Sequence, residues 1–167
     1  VDESIRSQLD SLNTHISQMM EDDGRSADYI ASHQMTMADV ITVASLIEKE
    51  SASAEESYTI ASVIYNRLYA WNGTPAYLNI DASVIYALDG KTDLTQEDLA
   101  TDSPYNTYLN VGLTPGPIAN PGINSIKAAL EPQDTGYYYY ILDPAAGTHH
   151  FSSTLEEHEA FREAIRG

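Results

Sequence analysis

The chain has 167 residues, with 8 basic against 25 acidic side chains and a formal charge of -17. That length suits one domain burying roughly 70% of its unfolded surface, and the acidity argues against nucleic acid or an anionic membrane face as partner. Without cysteine there is neither a disulfide framework nor a thiolate metal site.

No stretch is long and apolar enough to span a bilayer, and no secretory signal is present. An opening Val1 in place of Met points to a piece of a longer protein whose export or anchoring segment lies elsewhere. Twelve tyrosines against two phenylalanines and one tryptophan suit a surface that offers flat apolar faces with hydroxyls, as sugar grooves and protein-binding surfaces do.

In chain order, Ile5, Leu9, Leu12, Ile16, Met19 and Met20 make an amphipathic helix, closed by the polar turn 21–25. A short helix follows over 27–33. Thr36-Met37-Ala38-Asp39 has the form of a capping box, and Met37, Val40, Ile41, Ala44 and Ile47 recur at helical spacing up to Glu50. Ser53-Ala54-Glu55-Glu56 repeats the capping-box pattern and opens a helix through Ile60, Val63, Ile64 and Leu68, stopping near Trp71-Asn72-Gly73. Asp81 caps a short helix over 84–88, and Thr95-Gln96-Glu97-Asp98 starts one further turn. From Thr101 to Gly122 runs a long loop rich in Pro, Gly, Asn and Tyr, ordered by its interspersed apolar residues. A helix over 124–130, strands over 137–142 and 148–152, and a last helix opened by the capping box at Thr154 complete the chain.

Glu48 and Glu50 end an otherwise apolar helix. One reading leaves them straddling Lys49 at an exposed helix end. In the other, Glu50 lies beside the apolar face set by Val43, Leu46 and Ile47, where desolvation and the negative end of the helix dipole disfavour its ionised form. A carboxyl group so placed suits a general acid.

The ordered segments Ser45-Leu46-Ile47-Glu48-Lys49-Glu50-Ser51, Val63-Ile64-Tyr65-Asn66-Arg67-Leu68, Asp81-Ala82-Ser83-Val84-Ile85-Tyr86, Ser103-Pro104-Tyr105-Asn106-Thr107-Tyr108, the run from Gly112 to Gly122, and His149-His150-Phe151 together resemble the YceG-like endolytic murein transglycosylases, the MltG family. The resemblance covers roughly residues 37–160. It implies an α+β fold, a mostly helical lysozyme- or lytic-transglycosylase-like domain with a small antiparallel β element. The implied organisation is an N-terminal helical segment over 1–35, the tail of a preceding region, and a catalytic domain over 36–167.

The implied reaction is cleavage within peptidoglycan glycan strands at the β-1,4 bond between N-acetylmuramic acid and N-acetylglucosamine, without water, leaving a 1,6-anhydromuramic end. The resemblance makes Glu50 the catalytic acid and gives Glu48 a supporting role; Glu50-Ser51 and Tyr105-Asn106 are similar to the Glu-Ser and Tyr-Asn pairs of the wider lytic transglycosylases. Substrate-assisted glycosidases need one carboxyl group, because the sugar's acetamido group attacks the anomeric carbon. Expected contacts to glycan are Tyr105 on a pyranose face and Asn106 on an acetamido group, with Glu48, Ser51, Asp81, Thr107 and His149 as further groove residues, Asp81 competing with its role as a helix cap.

The run from Gly112 to Gly122 reads as a groove wall or as a connection, and Arg67 as a partner for Glu48. No cofactor is expected, and His149, His150 and His158 lack a metal-ligand pattern. The resemblance further implies an extracytoplasmic, membrane-anchored parent protein and contact with cell-wall synthesis machinery. Asn79-Ile80 depart from the Gln and small hydroxyl residue usual there, which bears on substrate preference. Two rival readings are a hydrolytic muramidase with Glu50 as acid and Asp81 as base, and a non-catalytic wall-binding or assembly module.

Overall fold

A computed structural model describes residues 7, 10–11, 13–14, 16–18, 21, 28, 30–71 and 75–167. It forms two compact units, Val1–Thr36 and Met37–Gly167. In the first, Ile16 is helical and buried, whereas Ile5, Leu9, Leu12, Met19, Met20 and residues 22–25 lie outside the described residues. Ala27 and Tyr29 of the second expected helix also lie outside them, and Asp28 and Ile30–Ser32 are helical.

The second unit is α+β. Its α1 (Met37–Glu50), α2 (Glu56–Tyr65), α3 (Asp81–Ala87) and α4 (Ile123–Leu130) precede an antiparallel hairpin of β1 (Tyr139–Asp143) and β2 (Thr148–Ser152), and α5 (Leu155–Arg166) closes the chain. Among the described residues no helix is long and apolar enough to cross a membrane.

The helical core forms where α1 packs on α2, α3 and α4 and α2 packs on α4. Val43, Leu46 and Ile47 of α1 meet a layer that includes Ile60 and Ile64 of α2 and Ile126 and Leu130 of α4, all at most 1% exposed. Each such side chain contributes about 1.5–3 kcal/mol by leaving water. Polar ties through this core fix its edges: the Tyr65 hydroxyl donates to Ala129 O at 2.6 Å, and Ser45 Oγ donates to Thr42 O and accepts the Ile118 N–H at 3.0 Å. The second tie pins the Pro/Gly run to α1. The loop is ordered, as its apolar residues suggest, with a bridge between Tyr77 and Val111 and Ile118 buried.

Helix α2 does not end at its last α-turn. Asn66–Ala70 continue it as a π-helix, and Asn72 and Gly73, the expected stop, lie outside the described residues. The wider turn directs two side chains toward the strand region: Asn66 Nδ2 donates to Thr135 O and Tyr137 O at 2.8 Å, and Arg67 Nε donates to Tyr138 O at 2.6 Å.

In the hairpin the register pairs Tyr140 with Phe151 and Leu142 with His149. The Asp143 carboxylate accepts the Ala145 and Ala146 N–H groups, and Gly147 takes φ 70°, a left-handed value that favours glycine. Alternation sends Tyr139 and His150 to one face, stacked on His158 and Phe161 of α5, while Tyr140, His149 and Phe151 share the other. Helix α5 begins with the full capping box, Thr154 with Glu157.

Candidate active site

Glu50 is the last residue of α1, so the apolar face that fills the core delivers its carboxyl group into a largely desolvated position. Tyr140 donates its hydroxyl to Glu50 Oε2 at 2.8 Å, and the Ala82 backbone N–H at the start of α3 also faces the carboxyl group. Burial pushes the Glu50 pKa above the usual carboxyl value; the Tyr140 hydrogen bond opposes that shift, the Asp81 charge adds to it, and the His149 charge and the Ala82 N–H oppose it. The net direction is upward. Strand alternation aims Tyr140 here, with its ring edge-on to His149 at 5.4 Å. Its own hydroxyl is held well above the ordinary tyrosine range by burial and by the adjacent Glu50 charge.

Asp81 is the first residue of α3, Ile80 is the cap position, and no side chain caps the helix. The expected cap role is therefore replaced: Asp81 Oδ1 accepts the Tyr108 hydroxyl at 2.5 Å. Burial, then the Asp81 hydrogen bond and charge, raise the Tyr108 pKa. Glu50 with Tyr140 and Asp81 with Tyr108 thus form two neighbouring carboxyl–phenol pairs.

Arg67 does not pair with Glu48. Its Nη1 donates to Tyr77 O at 2.7 Å and its guanidinium lies 4.9 Å from the Tyr139 ring centroid. Glu48 Oε2 instead accepts the Ser125 hydroxyl at 2.5 Å and the Gly122 N–H at 3.1 Å. A carboxylate from α1 so satisfies donors at the start of α4, where the helix dipole favours negative charge. Glu48, itself exposed, thus ties α1 to the start of α4.

Asn106 and Thr107 also support the site from beneath. Asn106 is fully buried: its two amide hydrogens go to Leu99 O and Thr101 O at 3.0 and 2.9 Å, and its oxygen accepts the Tyr108 N–H. Both donors of the amide are spent inside the loop, and the side chain is closed off from solvent. Thr107, 2% exposed, accepts the Ile80 N–H at 2.9 Å and pairs with the Ser83 hydroxyl. Both residues hold the segments that carry Tyr108, Asp81 and Ala82, so their expected glycan contacts are replaced by positioning roles.

The remaining expected residues are distributed around this centre. Tyr105 is half-buried, its ring 4.8 Å from exposed Tyr86, and its hydroxyl lies 3.3 Å from where a Cβ on Gly116 would stand. Ser51 Oγ accepts the Ser57 hydroxyl at 3.1 Å and ties α1 to α2. His149 faces Tyr140, as the alternation of His149 and His150 requires, and is hydrogen-bonded to Glu56. Sequence reasoning missed Tyr140, Tyr108 and Glu56. Period-two alternation from Leu142 back to Tyr140 was the signal for the first, since Tyr140 shares the His149 side of the ribbon.

Residues 2–164 match the YceG-like family. The endolytic murein transglycosylase of Bacillus subtilis (strain 168) is 42% identical over 132 residues, 78% of this chain and 35% of that protein. The endolytic murein transglycosylase of Streptococcus pneumoniae serotype 2 (strain D39 / NCTC 7466) is 35% identical over 136 residues, 78% of this chain and 24% of that protein. The crystal structure of a yceG-like protein from Listeria monocytogenes matches with a TM-score of 0.72 at 41% identity, covering 83% of this chain and 44% of that one. The chain thus spans about a third or a quarter of the length of these curated relatives. A family match over nearly all of its residues, with a shared fold at this level of identity, makes the chain a member of the YceG-like family.

Proposed function

We propose that this domain cleaves peptidoglycan glycan strands internally as a lytic transglycosylase, with Glu50 as acid and then base. Relatives named endolytic murein transglycosylase support the reaction. The observation that carries the residue assignment is a single desolvated carboxyl group, raised in pKa and held through one oxygen by Tyr140.

In the first step the Glu50 proton passes to the glycosidic oxygen as the muramyl acetamido oxygen bonds to C1 and the C1–O bond breaks. In the second, the Glu50 carboxylate takes the proton of the muramyl 6-hydroxyl, whose oxygen bonds to C1 and displaces the acetamido oxygen. Glu50 ends protonated, no water is consumed, and the product is the 1,6-anhydro sugar. The Tyr140 hydrogen bond stabilises the carboxylate formed between the steps.

Asp81 is engaged by Tyr108, which favours an electrostatic part for it, keeping Glu50 protonated, over the base of a muramidase. Work on wall glycan places the domain outside the cytoplasm, in a membrane-anchored protein with the cell-wall synthesis machinery as neighbour. The test is mass spectrometry of muropeptides from purified sacculi incubated with the domain or its Glu50→Gln variant. Anhydro ends from the wild type alone are expected. Products heavier by one water would identify a hydrolase, and equal activity of the variant would remove Glu50 from the chemistry.

A further inference from the structure

Glu56 opens α2, and in sequence it completes a capping-box pattern with Ser53. The structure satisfies only half of that pattern. Ser53 Oγ accepts the Glu56 N–H at 3.3 Å, whereas the Glu56 carboxylate reaches β2: Oε1 accepts the His149 backbone N–H at 2.6 Å, and Oε2 meets His149 Nδ1 at 2.8 Å while accepting the Ala52 N–H at 3.4 Å. Both side chains are nearly buried, at 11% and 8% exposure. Burial works to raise the Glu56 pKa, but the bonds and charge of His149 outweigh it, and the carboxyl group ends below its usual value.

Anchoring the hairpin to α2 needs the backbone bond alone. The second oxygen adds something different, because it fixes the ring of His149, assigning the proton to Nδ1 and setting the plane of the imidazole. That ring stands edge-on to Tyr140, whose hydroxyl meets Glu50, and it also packs against Phe151 at 6.3 Å. The groups facing Glu50 are Ala82 and Asp81 from α3, Tyr108 from the loop beyond it, Tyr140 from β1 and His149 from β2, with Arg67 acting on both phenols.

We propose that Glu56 is a positioning residue for Glu50: by meeting the backbone N–H and Nδ1 of His149 it holds the imidazole against Tyr140, beside the acid. The catalytic meaning of this inference rests on the transglycosylase reading of Glu50. In the direction the electrostatics give, a protonated His149 favours the Glu50 carboxylate and Asp81 opposes it. The clamp therefore helps Glu50 release its proton in the first step without abolishing its ability to take one back.

Glu56→Gln keeps the size of the side chain but offers one acceptor where two are used, so an amide N–H faces a donor and the imidazole is released. The titration of Glu50 is read directly from its carboxyl ¹³C shift in the whole chain, beside the pH profile of anhydro-muropeptide release. Glu56→Gln and His149→Gln each are expected to move the Glu50 titration and the alkaline limb of the profile to higher pH. The double variant moves them no further than His149→Gln alone, since Glu56 acts through the ring.

A purely structural anchor predicts lower stability with the Glu50 titration unmoved, and that result overturns the proposal, as does a Glu56→Gln shift that persists in full in the His149→Gln background. If Glu56→Gln unfolds the hairpin by near-ultraviolet circular dichroism, the His149→Gln variant decides: an unmoved Glu50 titration refutes the coupling. Absence of anhydro product together with the expected titration shifts sinks the transglycosylase reading and leaves the coupling standing, so the two failures are distinct.

Discussion

Replacing Tyr140 with Phe removes one hydroxyl from the site and little else. The ring keeps its edge contact with His149 at 5.4 Å and its neighbour Phe151 at 6.2 Å, so the hairpin face stays packed. What is lost is the donor 2.8 Å from Glu50 Oε2, in a place where burial already disfavours the carboxylate. A hydrogen bond to a charged group contributes about 1.5–3 kcal/mol, which corresponds to roughly a 10- to 150-fold change in rate when the bond is made fully in the transition state. The variant is therefore expected to release anhydro-muropeptides at least about tenfold more slowly, with the near-ultraviolet spectrum of the folded domain retained. Because the Tyr140 bond favours the ionised form, the alkaline limb of the pH profile moves upward in the variant. The assay is initial rate by mass spectrometry across pH. A variant that matches the wild type in rate and in the position of that limb refutes the argument that Tyr140 governs the acid.

Asp81→Asn removes a charge that raises the Glu50 pKa, so it is expected to move the alkaline limb to lower pH while the product stays anhydro. A product heavier by one water from the wild type, lost in a folded Asp81→Asn variant, would instead give Asp81 the base role of a muramidase. Glu48→Ala leaves the Ser125 hydroxyl and the Gly122 N–H without their acceptor and should cost about 0.5–2 kcal/mol in urea unfolding, the range for a lost helix cap. Unchanged stability with lost activity would contradict the supporting role. Glu50 binds its proton more tightly folded than unfolded, so the wild type loses stability as pH rises above the unfolded value of 4.5. Glu50→Gln removes that cost and is expected to melt higher than the wild type at about pH 8, with the gap closing by about pH 4. A variant that melts lower at the alkaline end reverses the sign and the reasoning.

The features legible in the sequence were those set by neighbours along the chain. Val43, Leu46 and Ile47 place Glu50 beside the core through helical spacing alone, and Thr154 with Glu157 forms the expected capping box. The hairpin follows from its alternation and from Asp143 and Gly147 at its turn. What escaped was decided across long separations. Four consecutive tyrosines precede Ile141, and only the strand register selects Tyr140 for a partner 90 positions away. Glu56 satisfies a local capping pattern on paper, yet its oxygens are taken by His149, 93 residues on. Asn106 carries the right amide for a sugar, but the loop folds around it and takes both of its donors and a bond to its oxygen. Local pattern names the candidate chemistry, and tertiary closure decides which polar groups remain free.

The π-helix after α2 carries an evolutionary consequence. Asn66 and Arg67 grip the approach to β1 by the carbonyl oxygens of Thr135, Tyr137 and Tyr138, which every amino acid supplies. The anchor itself therefore does not depend on which side chains stand at those three positions, although Thr135 also bonds Ser62 and Tyr137 and Tyr138 pack on Phe151 and Trp71. Deleting Asn66 has the opposite effect: Arg67 moves into its place, turned by about 100° about the helix axis, and the grip on the approach to β1 is lost with Glu50 and Tyr140 both intact.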